Sequence, residues 1–179
     1  MRVLLTIALL TGILLTGHSQ KYTLQEGMVQ FYSQAVLEDI KAVNTRITAL
    51  FNRANGDVAL IIPVASFQFD KKLMQEHFNE KYMESDQYPN ATFAGTISGF
   101  DWSRSDEQPV VARGKLTIHG VTQEVTVPGT LALTNGLVVM KAAFTVKLED
   151  YRIKRPQLLW QNIAEQVEVT LDLRLKPQP

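Results

Sequence analysis

The side chains best suited to chemistry are two histidines and two short polar runs. His77 sits in QEHF, His119 in TIHG, and Asp150-Tyr151 is followed closely by Lys154 and Arg155. An imidazole set near a carboxylate or a phenol is the material of general acid–base catalysis. One reading of the chain is therefore an enzyme whose site gathers His77, His119 and Asp150-Tyr151 at one rim of the fold. The surrounding pattern gives that reading little help. Two histidines without any cysteine make a poor transition-metal site, and Glu76 falls on a different helical face from His77. The plainer roles are a backbone hydrogen bond at a rim for His77 and orientation of a turn for His119, which precedes Gly120. No GxSxG elbow and no glycine-rich phosphate loop occurs, and Glu168 and Asp172 read as solvated residues on an outer strand face. No catalytic residue, metal ligand or cofactor follows from these residues.

The elements that would position them begin after a leader. Arg2 is a short basic region, residues 3–15 are apolar, and Gly17-His18-Ser19 is a small-x-small cleavage site before Gln20. Residues 1–19 read as a cleaved signal peptide, too short for the roughly 20 residues that span a bilayer. Residues 20–179 read as one domain, periplasmic or secreted. The chain has no cysteine, so no disulfide supports it in an oxidising compartment. Lys and Arg number 18 against 18 Asp and Glu, a balance that gives nucleic acid no reason to bind.

One amphipathic helix is predicted, over residues 70–85. Asp70 is its expected N-cap, Met74, Phe78 and Tyr82 form an apolar stripe with Leu73 beside them, and Pro89 stops it. The rest alternates with period two. Residues 21–24, 27–34, 43–51, 57–64, 91–97, 110–118, 125–133, 140–148 and 167–175 read as strands or strand pieces, about eight in all. Asn55-Gly56 and Asn135-Gly136 read as hairpin turns. Pro63 argues for an interrupted strand and against perfect barrel closure. Trp102, in the polar loop 99–109, reads as a packed lid or a ligand contact, and Leu158, Leu159, Trp160 and Ile163 as a helical turn packed on the barrel. Pattern alone fits an antiparallel barrel or a sandwich.

Four segments resemble one family. QEHFNEKYMESDQYPNATFAG (75–95), GKLTIHGVTQEVTVPGTL (114–131), FTVKLEDYRIKRP (144–156) and QVEVTLDLRL (166–175) follow, in order, the motifs of the YceI-like proteins. The resemblance implies an all-β fold, an antiparallel lipocalin-like β-barrel of about eight strands with one short helix inserted between strands. It also implies a periplasmic protein that holds a polyisoprenoid or isoprenoid quinone tail in its lumen, meets a membrane transiently, and needs no other cofactor. An eight-stranded lumen can be filled by side chains or hold one small ligand. The inward faces mix small and large residues, which suits both an open tunnel and an interaction module with a filled core. The lumen candidates are Phe31, Phe51, Leu60, Ile62, Phe78, Phe93, Leu116, Ile118, Phe144 and Val146, with His77 and His119 at the mouth. For an anionic head group the first candidates are Lys154 and Arg155. Lys71 and Lys72 at the helix start come second, because Asp70 would compete for the same donors.

Overall fold

The computed structural model describes residues 21–34, 39–154 and 164–178. The expected leader, Arg155, and Leu158, Leu159, Trp160 and Ile163 of the expected helical turn therefore lie outside the described residues. Ten strands follow one another: β1 (Lys21–Ser33), β2 (Ile40–Asn44), β3 (Thr48–Asn52), β4 (Asp57–Pro63), β5 (Gln68–Phe69), β6 (Asn90–Ser98), β7 (Gln108–Ile118), β8 (Val121–Thr134), β9 (Leu137–Lys147) and β10 (Gln166–Pro177). They form a closed eight-stranded antiparallel barrel, because two staves are each built from two pieces. β2 and β3 flank the same edge of β1, and β4 and β5 lie beside β3 and β2 in turn. The rest is a meander from β6 to β10, and β10 closes on β1 from Tyr22–Pro177 to Tyr32–Glu168.

The breaks have local causes. The run 43–51 bends at residues 45–47, and the next stave breaks after Pro63, where a 3-10 turn spans Val64–Ser66. Asn44 mends both breaks from the interior. Fully buried, it donates from Nδ2 to Pro63 O at 2.8 Å and accepts from Arg46 N through Oδ1 at 2.8 Å. Such a residue satisfies backbone groups that the interrupted ladders leave over. Pro63 thus interrupts pairing as expected, yet it does not prevent closure. Runs 21–24 and 27–34, read separately in the sequence, form one strand whose register slips between Leu24 and Glu26.

The helix differs from its prediction. Its α-helical part, α1, spans only Lys72–His77 and passes into a π-helical turn over Phe78–Tyr82. Asp70 is not its N-cap: Lys71 holds that position, without a side-chain cap. Met74, Phe78 and Tyr82 face inward as the spacing requires, but Leu73 is 62% exposed. The wider π turn brings Met83 as well as Tyr82 into the interior.

Besides the outer edge of β5, which pairs with no strand among the described residues, one join in the wall is incomplete. β8 and β9 pair only from Thr134–Leu137 to Gly129–Ala142. Their turn, Asn135-Gly136, has both residues at positive φ, 51° and 80°, which makes a two-residue hairpin whose flanking residues are a hydrogen-bonded pair. Counting by twos, the N–H at position 128 would have pointed at Ala143, and Pro128 has none. The ladder stops there. The turn after β9 spans the parted strands, with Gln123 Nε2 donating to Asp150 O at 2.8 Å.

Inside, the barrel has two halves. Tyr22, Ala49, Phe51, Val58, Leu60, Leu131, Val138, Met140, Leu173 and Leu175 pack solidly toward the end where Lys21 and Gln178 meet. Trp102 caps this end, its ring 4.4 Å from Phe100 and 5.9 Å from Phe51, with Arg53 stacked above it. It is a lid on the filled half. The other half lies beneath α1.

Candidate functional site

That second half holds a partly open cavity of about 360 Å³. Strand alternation supplies its walls: Val29 and Phe31 from β1, Ile62 from β4, Leu116 and Ile118 from β7, Phe144 and Val146 from β9, Val167 and Val169 from β10. Met74, His77, Phe78, Tyr82 and Met83 close one side from the helix, and Leu148 and Ile153 from the turn after β9. Among the described residues, no Asp, Glu, Lys or Arg lines it. Several inward residues, Phe31, Ile62, Phe78, Ile118 and Phe144, are only partly buried, because they face space instead of other side chains.

An aromatic corner forms part of the wall. Phe31, Phe67, Phe69 and Phe78 lie with ring centroids 5.0–5.8 Å apart, and Phe31 and Phe78 stack at 23°. Aromatic pairs at such distances add a little beyond the area they bury, and they stiffen the wall. Phe67 and Phe69 were not among the sequence candidates. Their signal was present: a period-two pair restarts the strand broken at Pro63, just before the helix.

Three polar groups reach this apolar surface. Ser33 is almost fully buried and its Oγ accepts from Ala164 N at 3.0 Å, which leaves the hydroxyl proton to donate. His77 lines the cavity from the last turn of α1. Tyr82 contributes its phenol, whose pKa burial pushes upward, so it stays protonated through the neutral range.

Seven of the ten lumen candidates line this cavity: Phe31, Ile62, Phe78, Leu116, Ile118, Phe144 and Val146. Phe51 and Leu60 belong to the filled half, and Phe93 packs between the two halves without lining the cavity. Alternation identified their inward face but could not show how deep along the lumen each lies.

His119 is occupied elsewhere. With Gly120 it forms the β7–β8 hairpin turn, φ 51° and 72°. Its Nε2 meets Glu84 Oε2 at 2.8 Å, its Nδ1 meets Tyr151 O at 3.3 Å, and its ring packs 4.4 Å from Tyr88. Both partners are acceptors, so the two contacts coexist as hydrogen bonds only when each ring nitrogen carries a proton. The histidine ties the segment after the helix to the hairpin and to the turn following β9. The structure therefore brings His119 to the backbone of Tyr151 but not into the cavity wall, where His77 stands without either of them. Tyr151 is buried, and burial, with Asp150 beside it, raises its pKa. Lys154 is exposed and directly follows Ile153, a cavity residue, which sets the lysine at the rim. Lys71 and Lys72 are also exposed, at the start of the short helix.

The sequence pattern of the YceI-like domain matches residues 18–175. Among solved structures, BcnA of Burkholderia cenocepacia is similar at a TM-score of 0.71 and 22% identity, over 83% of this chain and 95% of that one. A polyisoprenoid binding domain from Saccharophagus degradans, implicated in plant cell wall breakdown, gives 0.75 and 15%, over 88% and 98%. A YceI protein of Campylobacter jejuni gives 0.58 and 12%, over 98% and 94%. At these identities the likeness is one of fold. No curated protein sequence matches the chain.

Proposed function

This chain belongs to the YceI-like domain family, and on that premise we propose that it binds one long apolar lipid, of polyisoprenoid or isoprenoid-quinone type, in the half-open lumen. The observation that carries this reading is a cavity of about 360 Å³ walled by aliphatic and aromatic side chains, with no charged residue among those described. Burying apolar surface contributes roughly 25 cal/mol per Å² against water. A tail drawn from a bilayer gains much less, since it leaves one apolar medium for another. The protein is therefore a carrier that can release its cargo, working in the periplasm or outside the cell after removal of its leader and touching membranes transiently. Ser33, His77 and Tyr82 suit a weakly polar head, with Lys154 and Arg155 in reserve for an anionic one. It acts by binding and not by catalysis: His119, the second imidazole that an acid–base site would need, is engaged in holding the turns.

The test is mass spectrometry of lipid that survives gentle purification, followed by rebinding of a prenyl alcohol and its phosphate to stripped protein. An isoprenoid recovered at near one per chain is the expected result. Protein that carries no lipid and binds neither probe overturns the reading. Substituting Lys154 and Arg155 together by Gln should weaken the phosphate and spare the alcohol; equal loss for both removes the head-group role.

A further inference from the structure

We infer that Phe93 is the stop that sets how long a tail the cavity accepts, an inference that rests on the lipid-binding reading above. Phe93 belongs to the inward face of β6, paired with Leu60 on one side and Leu116 on the other. Leu60 is part of the filled half, Leu116 lines the cavity, and Phe93 packs against the clusters of both. The ring tips away from the cavity toward Gly95. A Cβ built on Gly95 would lie 2.8 Å from Phe93 Cζ, so the ring fills the space that the glycine leaves. No other side chain can fill it from these positions. Gly95 and Gly114 are paired across β6 and β7, and their backbones approach so closely that a Cβ on either would sit 2.3 Å from a carbonyl oxygen of the opposite strand. Phe93 thus fills, between the packed half and the cavity, space that close backbone approach at Gly95 and Gly114 leaves without a side chain of its own. Truncating it to Ala removes six carbons, one more than an isoprene unit carries, next to the closed end of the cavity.

The experiment titrates a ladder of all-trans prenyl alcohols, from geraniol upward by one isoprene unit at a time, against stripped wild type, Phe93→Ala and Phe93→Leu. In wild type, affinity climbs with length and then levels off, because further units protrude from the mouth. In Phe93→Ala the levelling should move one unit longer, with a gain of about tenfold for the first alcohol that overruns the wild-type cavity. Phe93→Leu, a milder truncation that serves if the alanine variant does not fold, should move the levelling in the same direction by less. Levelling at an unchanged length, or a uniform weakening across the ladder, makes Phe93 a packing residue and overturns the inference while the lipid-binding reading stands. Failure of wild type to bind any alcohol overturns that reading, and the inference with it.

Discussion

At the scale of single residues, depth along the lumen separates phenylalanines that the sequence presents as equivalents. Phe51 is 3% exposed in the filled half, whereas Phe144 is inward but faces the cavity. Truncating a packed phenylalanine costs about 3–5 kcal/mol through lost burial and the void left behind. We expect Phe51→Ala to show that full loss in denaturant unfolding, and Phe144→Ala in lipid-free protein to lose clearly less. With lipid bound, Phe144→Ala should lose more than it does without, because ligand binding stabilises the native state and the variant forfeits part of that gain. A full loss at Phe144 that is the same with and without lipid would make it a core residue. The buried tyrosines predict an alkaline limit. The fold raises the phenol pKa of Tyr82 and Tyr151 above the ordinary 10.0, chiefly by burial. A folded pKa above the unfolded one means that this stabilisation is complete below about pH 10 and fades as pH rises through the folded values. Stability should decline above pH 10, and replacing both tyrosines by Phe should flatten that decline in pH-dependent denaturation. An unchanged slope would refute the assignment.

Elements decide where the pattern stops being readable. The inward faces of β7, β9 and β10 were legible because uninterrupted alternation has a single solution. The two-piece staves were harder, since Asn44 looks like an ordinary outward polar residue until the breaks that it repairs are visible. The helix was legible by its apolar stripe but not by its cap or its π turn, which depend on how the segment meets the barrel. Pro128 went unread for a different reason: its effect depends on which neighbour its missing N–H would have faced, and only the two hairpins fix that parity. The same parity makes a prediction. The amides of Glu124, Thr126, Ala143 and Thr145 point into the split and should exchange rapidly with deuterated solvent. Those of Val125 and Val127 point at β7, and those of Phe144 and Val146 at β10, and they should be protected. Site-resolved exchange by NMR checks this directly, and protection at Thr126 and Ala143 would show the ladder to be continuous.

For the whole molecule, the family motifs carried the barrel, while the residues alone left open whether the lumen was full or hollow. It is both, at opposite ends, and no one-dimensional pattern records that division. The proposed leader at residues 1–19 leads to an expectation about the finished protein: if the chain is secreted, N-terminal sequencing should begin at Gln20, and a start at Met1 or well past Lys21 would exclude the proposed cleavage. The split beside Pro128 has a mechanical consequence. A hoop of hydrogen bonds that runs all the way round resists any change in its girth. A cylinder cut along part of its length can spread at the cut while every remaining bond keeps its length. The cut here lies along the hollow half alone, with the solid half acting as the uncut collar. The bore of the hollow half can therefore widen or narrow at the cut, while the barrel stays closed at its foot.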